Sequence, residues 1–341
     1  MPEHFRRSAY RIVTIGIISL IASACSGGEN PASPSPPITV EPASTSVPAS
    51  AAPDAAANAV ASSDTIVYIE VMVLGEGGDV EFSAPNHLAL DADDNLYVTE
   101  FVGGRVWVFS ATGVLLLQFA GAGDGIGELS GPTGIALDAN GNIYVGESGT
   151  SRVQKFSPEG VPVASWGTPG SGPGEFASAM GVGINDDLGR AYVADYGNSR
   201  VQVFTLDGEL LFMFGERGDA PGEMFLPIGV DIGPDGTVYV VDSGNSRVQT
   251  YTSEGNFIEV FSTSPLTAPQ VISVREDGSF WVAGPADSEV VHFSSTGEQL
   301  ASLIPPDGAL RRPHGTETAS DGTVWLADTG NNLVRAFRIA G

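Results

Sequence analysis

The chain has 341 residues with 15 basic and 41 acidic side chains, a formal net charge of −26, and a single cysteine. So large an excess of negative charge opposes binding to a phosphate backbone, which excludes nucleic-acid partners. One cysteine leaves no intrachain disulfide framework on which a fold could depend.

The first 24 residues read as a signal peptide. Arg6, Arg7 and Arg11 form a basic start, and the apolar run 12–24 that follows is too short to span a bilayer comfortably. It ends in Ala22-Ser23-Ala24-Cys25, which resembles a bacterial lipoprotein box, in which the cysteine is lipidated and becomes the mature N-terminus. Plain secretion with cleavage after Ala24 is the alternative. Residues 26–64 are dominated by Pro, Ala, Ser and Thr and contain no Lys or Arg. Such a segment cannot bury enough apolar surface to fold. Residues 25–64 therefore read as a lipidated cysteine and a disordered linker, a tether on the order of 35 Å long as a flexible coil. The expected location is extracytoplasmic, at the cell surface or in the periplasm, with the lipid on Cys25 in a bacterial membrane.

Residues 65–341 are organised by a repeat. Gly197-Asn198-Ser199-Arg200-Val201-Gln202 recurs unchanged at 244–249, and a looser copy stands at 149–154. Each copy lies in a longer unit of four short β-rich runs separated by turns such as Asp-Gly and Glu-Gly, a succession of hairpins with no sustained helical period. The second run of each unit carries an aromatic residue: Tyr97, Tyr144, Tyr192, Tyr239, Trp281 and Trp325. Prolines open the units at 85, 132, 227, 269 and 313, with Ala179 in the remaining slot. Six four-stranded units predict an all-β, six-bladed β-propeller as one domain. The last unit stops one strand short, and an orphan strand, 65–75, precedes the first proline. That strand is expected to complete the last blade and close the ring, which leaves no long edge strand exposed and fits a monomer.

With the unit defined, the blades resemble NHL repeats. The resemblance rests on Pro-x-Gly-Ile/Val-Ala/Asp at 132–136 and 227–231, on Asp-x-Gly-Asn-Ser-Arg-Val-Gln at 195–202 and 242–249, and on Gly-x-x-Gly-x-x-Pro-Gly-Glu at 215–223. It covers 65–341 and implies a fold more than a function, since related propellers include scaffolds, ligand binders, lyases and lactonases. The fifth unit lacks the Gly-Asn turn, and the sixth has Leu333 where the others have arginine.

In such a blade the start of the first strand and the loop between the second and third strands share one rim. That rim gathers Arg105, Arg152, Arg200 and Arg247, each five residues after an acid: Glu100, Glu147, Asp195 or Asp242. One reading is a repeated intrablade ion pair. The other is a partial ring of cations that recognises a ligand's carboxylate or phosphate. The same rim carries the residues after the proline slot, Asn86, Thr133, Met180, Ile228, Gln270 and His314, with His87 one place on. Three places after the first of these stand Ala89, Ala136, Gly183, Asp231, Ser273 and Glu317. Most repeats keep these positions small, as crowding near an axis requires, so His87, Asp231 and Glu317 stand out.

Ligand contacts are expected from Asn86, His87, Gln270, His314 and the four arginines. A central cation would be held by members of His87, His314, Asp231 and Glu317, with Zn, Mn or Ca as the ions these donors suit. The last blade also resembles that of peptidyl-α-hydroxyglycine amidating lyases, in which a histidine at the His314 slot binds zinc; the other slots here carry no such histidine. His292, among apolar residues of a third strand, reads as structural, and no serine or cysteine stands in a nucleophile context. The leading expectation is a non-enzymatic, membrane-tethered module that binds a protein, peptide or glycan and needs no cofactor. The alternative is a metal-dependent lyase or lactonase at the central funnel.

Overall fold

The structure is a computed structural model, and it describes residues 68–76, 80–305 and 310–339. The signal segment, Cys25 and the linker lie outside the described residues. Six four-stranded antiparallel sheets form the six-bladed propeller that the repeat predicts. The first blade runs Pro85–Leu90, Leu96–Glu100, Arg105–Phe109 and Leu115–Ala120, from the axis outward. The next four blades begin with inner strands Pro132–Leu137, Ala179–Asn185, Pro227–Ile232 and Val271–Val274.

The sixth blade closes the ring. It contains Pro313–Thr318, Val324–Asp328 and Leu333–Ile339, and its outer strand is the N-terminal Tyr68–Leu74. That strand pairs antiparallel with the third, from Tyr68 opposite Ile339 to Leu74 opposite Val334. The core is divided among six apolar clusters, each made by the facing surfaces of two adjacent blades. The aromatic residues of the second strands sit within them, and Tyr144, Tyr192, Trp281 and Trp325 are fully buried. Each such ring contributes roughly 4–6 kcal/mol of gross burial free energy, so the regular spacing seen in the sequence is a spacing of wedges.

The inner strands approach one another closely, and glycine makes this possible. A Cβ at Gly134 would lie 2.5 Å from the Met180 carbonyl oxygen of the next blade, and one at Gly181 would lie 2.4 Å from that of Ile228. Gly229 and Gly315 make equivalent approaches to the fifth and first blades. The crowding is therefore against the neighbouring backbone rather than across the axis. His87 and Val271 occupy this slot in the other two blades.

The repeated arginines belong to a clamp. Asp242 is fully buried and accepts hydrogen bonds from the Phe225 amide (2.7 Å), Asn245 Nδ2 (2.8 Å) and Arg247 Nε (2.7 Å). Arg247 also donates to the carbonyls of Asp219, Ala220 and Glu223, and Gln249 donates to Glu223 while accepting from the Gly222 amide. The two sequence motifs, Asn-Ser-Arg-Val-Gln and the glycine-rich loop upstream, are thus two halves of one structure. The blades around Glu147 and Asp195 repeat it.

The sixth blade solves the same problem differently. With Leu333 in the arginine slot, Arg335 reaches back so that its Nε donates to Asp328 at 2.8 Å, while a terminal nitrogen lies 3.1 Å from Glu70 on the closing strand. Removing one partner of a buried ion pair leaves an uncompensated charge, whereas an exposed pair contributes little. Arg335→Ala is expected to cost about 3–5 kcal/mol by denaturant unfolding. Arg338→Ala, which breaks the exposed pair with Asp321, should cost under about 1 kcal/mol. Equal effects would show that the Arg335 bridge does not hold the closure.

Candidate functional site

The axial channel is bounded by the six inner strands, and its chemistry lies where they depart from the repeat. His314 is the second residue of its strand, close to the rim where the inner strands begin. Its Nδ1 lies 2.9 Å from the Arg312 carbonyl and 3.0 Å from Thr329 Oγ1. A carbonyl can only accept, so Nδ1 carries the proton and Nε2 keeps a lone pair. Arg312 is held at φ 48°, but Ala84 and Leu226 adopt the same left-handed conformation before their prolines. That feature therefore belongs to the repeated turn and not to the site.

His87 lies across the seam between the first and sixth blades; a Cβ at Gly315 would sit 2.8 Å from the His87 Cα. Its amide donates to Thr99 Oγ1 at 2.9 Å. Burial lowers the His87 pKa to about 3, with repulsion from His314 as a second cause. Burial likewise lowers His314 to about 4. Both rings are neutral at pH 7.

Deeper in the channel a cavity of about 300 Å³ is lined by His87, Asp231, Thr316, Glu317 and Thr318, among others. Asp231 accepts hydrogen bonds from the amides of Ile232 (2.8 Å) and Val274 (2.7 Å), and Ser273 Oγ donates to Glu317 at 3.2 Å. The carboxyls of Asp231 and Glu317 thus flank Ser273 on three successive blades. Desolvation raises the Asp231 pKa to about 6. Glu317 is raised well above the ordinary value by desolvation and by the nearby charge of Asp231. The pair retains a proton at a pH where isolated carboxyls have lost theirs.

The candidate cation donors do not all lie at one depth: His87, Asp231 and Glu317 line the cavity, and His314 stands nearer the rim. His314 is the second residue of its strand, whereas Asp231 and Glu317 are the fifth of theirs, a difference of about 10 Å at 3.3 Å per residue. Among the described residues no three His, Cys, Asp or Glu converge in a way that could hold a metal ion.

The arginine rim also differs from the ligand-recognition reading. Arg152, Arg200 and Arg247 direct their guanidinium groups to the buried acid of their own blade and to loop carbonyls. Arg105 pairs with Glu100 at 2.8 Å and lies over the Trp107 ring. The intrablade ion pair is the arrangement observed. Asn86 is buried and Gln270 half-buried beside His314's rim. Thr329, which the sequence reading overlooked, orients His314; its only signal was a position just after the second strand, on that rim.

A family model described as the virginiamycin B lyase family matches residues 76–336. The chain belongs to the virginiamycin B lyase family. It is similar to the structure of a streptogramin B lyase, with 15% identity over 81% of this chain and 97% of that one and a TM-score of 0.56. It is also similar to a catalytically inactive histidine-to-alanine variant of Staphylococcus aureus virginiamycin B lyase with quinupristin: 16% identity over 77% and 83% of the two chains, TM-score 0.55. A gluconolactonase from Xanthomonas campestris gives 17% identity over 76% and 87%, with a TM-score of 0.59. At these identities the solved structures show the fold alone. No curated protein sequence matches the chain. The propeller implied by the NHL resemblance stands, within the lyase family.

The two pairs of ionisable groups give stability opposite pH dependences. The histidines, neutral when folded, cost stability as pH falls below 6.5 toward 3; the raised carboxyls cost stability as pH rises above about 4. Asp231→Asn is therefore expected to raise the melting temperature at pH 8 relative to the native chain, with the gain gone below pH 4. In the same variant the Glu317 pKa, followed by carboxyl ¹³C NMR, should fall. A gain that does not vary with pH, with Glu317 unmoved, would contradict this assignment.

Proposed function

We propose that the chain is a lyase that opens a cyclic ester, acting at the mouth of the axial channel with His314 as the base. The observation that carries this reading is the fixed tautomer of His314: Nδ1 is held by the Arg312 carbonyl and Thr329, which leaves Nε2 with its lone pair. A lyase cleaves a carbon–oxygen bond by elimination. The base takes a proton from the carbon next to a carbonyl, the electron pair forms a C=C bond, and the ester oxygen departs as a carboxylate. A neutral imidazole suits the first step near neutral pH. Asp231 and Glu317, with their retained proton, would supply or accept protons lower in the channel, through water.

Family membership supports the reaction class, and so does the loss of activity on histidine replacement in the Staphylococcus aureus enzyme. The binding-module reading is set second because the arginines it relied on are engaged within their blades. A lipid on Cys25 would hold the enzyme at the cell envelope, where exogenous cyclic peptides arrive.

The test is incubation of the purified chain with quinupristin and, separately, with gluconolactone, followed by mass spectrometry. Elimination opens a ring without changing its mass, whereas hydrolysis adds one water. Ring opening of quinupristin at constant mass is expected, slowed roughly 10²–10⁴-fold in His314→Ala. Thr329→Val should give an intermediate loss. Addition of water would replace the lyase by a lactonase, and turnover unaffected by His314→Ala would remove His314 from the mechanism.

A further inference from the structure

A second concave site lies away from the channel, in the seam between the fifth and sixth blades. It is a cavity of about 400 Å³ lined by Tyr68, Arg275, Ser279, Trp281, His292 and Leu300, among others. His292 stacks on Trp281 with ring centroids 4.4 Å apart, its Nε2 lies 3.0 Å from Ser279 Oγ, and its Nδ1 lies 3.4 Å from the Tyr68 hydroxyl.

The repeat explains why a cavity exists here. In the second blade, Lys155 donates to the Leu206 carbonyl, which belongs to the outer hairpin of the third blade, and the Tyr144 hydroxyl, which donates to Asp138, lies 3.4 Å from the same oxygen. In the third blade, Arg190 and Tyr192 donate to the Ser253 carbonyl in the outer hairpin of the fourth. A cation and an aromatic donor thus meet a backbone oxygen from the next blade, and the seam is filled. Trp281, His292 and Ser279 hold the corresponding register positions in the fifth blade. The blade it faces is the sixth, whose third and outer strands come from opposite parts of the sequence. Among the described residues no hairpin joins Ile339 to Tyr68, and no hairpin carbonyl enters the seam.

Donors are left without that oxygen. Trp281 is fully buried, and its Nε1 has no hydrogen-bond partner. Arg275 stands on the lining, its Nη1 3.3 Å from Asp277 and donating to Ser279 Oγ at 3.2 Å. Asp277 is the one acid among the lining residues. It already accepts from the amide and hydroxyl of Ser279. Leu300, Val324 and Ile339 supply apolar walls.

We propose that this seam binds a small organic carboxylate with an apolar body, an aryl- or alkyl-carboxylate. Its oxygens replace the missing hairpin carbonyl, against Arg275 and Trp281, and its hydrocarbon part lies on Leu300 and Ile339. The site is independent of the channel and of the reaction proposed there.

The experiment titrates the full chain with 4-phenylbutyrate and, in parallel, with the uncharged 4-phenylbutan-1-ol. The indole N–H resonance of Trp281, assigned with Trp281→Phe, reports binding in ¹H–¹⁵N spectra. The carboxylate is expected to shift this resonance saturably, and the alcohol to leave it in place. Arg275→Gln, a half-exposed change that spares the core, should weaken the carboxylate about tenfold. A Trp281 resonance unmoved by millimolar carboxylate would overturn the proposal. So would an equal response to the alcohol or in Arg275→Gln, because recognition would not then involve the charge.

Discussion

The buried carboxylate at the end of five of the six second strands is the constraint on which the blades depend. Removing such a group from water is costly unless its lone pairs are filled and its charge is met. Asp242 is filled by a loop amide, an asparagine, an arginine and a glutamine, and the arginine then carries the pairing into the glycine-rich loop. One interaction thus fixes the turn between the middle strands, the loop that enters the blade and the start of the inner strand. The inner strands are placed well enough for glycines to pack against the neighbouring backbone. The channel is the result.

Function gathers where this regularity is interrupted. The blades that satisfy the clamp fully, around Glu147, Asp195 and Asp242, contribute mostly small or apolar residues to the channel wall. The sixth blade replaces the arginine slot by Leu333 and recruits Arg335, and it is also the blade that carries His314 and Glu317. The fifth has no acid in the clamp position, where Gly284 stands, and uses Asp287 to hold Thr267 instead. The irregular pair of blades lines the second cavity and supplies Ser273, His314 and Glu317, while Asp231 and His87 come from the blades on either side. Of the irregular two, only the sixth is completed by two distant segments of the chain.

Much of this was legible in the sequence. A period near 47 residues, one aromatic per unit and an orphan strand ahead of the first unit were enough for the propeller and its closure, since each depends on local pattern. The pairing of each arginine with the acid five residues earlier was legible for the same reason. So were His87, Asp231 and Glu317 as residues of the axis, because they break positions that other repeats keep small. What the sequence reading left open was which of His87, His314, Asp231 and Glu317 stand together. His87, Asp231 and Glu317 line one cavity while His314 stands nearer the rim, and depth depends on where each strand begins and how the blades tilt together. His292 was read as core, and its stacking on Trp281 is consistent with that; the space beside it was not foreseeable from its neighbours in the chain.

The sequence by itself determined the architecture, because a propeller is built from contacts within a unit and between adjacent units, and both recur at a fixed interval. Tertiary structure alone decided which groups are free to act. The arginines look identical whether they are engaged or not, and only the loop packed over them shows that they are. The His314 tautomer depends on a carbonyl and a hydroxyl that come together by folding, and the shifted carboxyls depend on a channel too narrow for full hydration. The seam cavity exists because a strand from one part of the chain stands where a hairpin stands elsewhere.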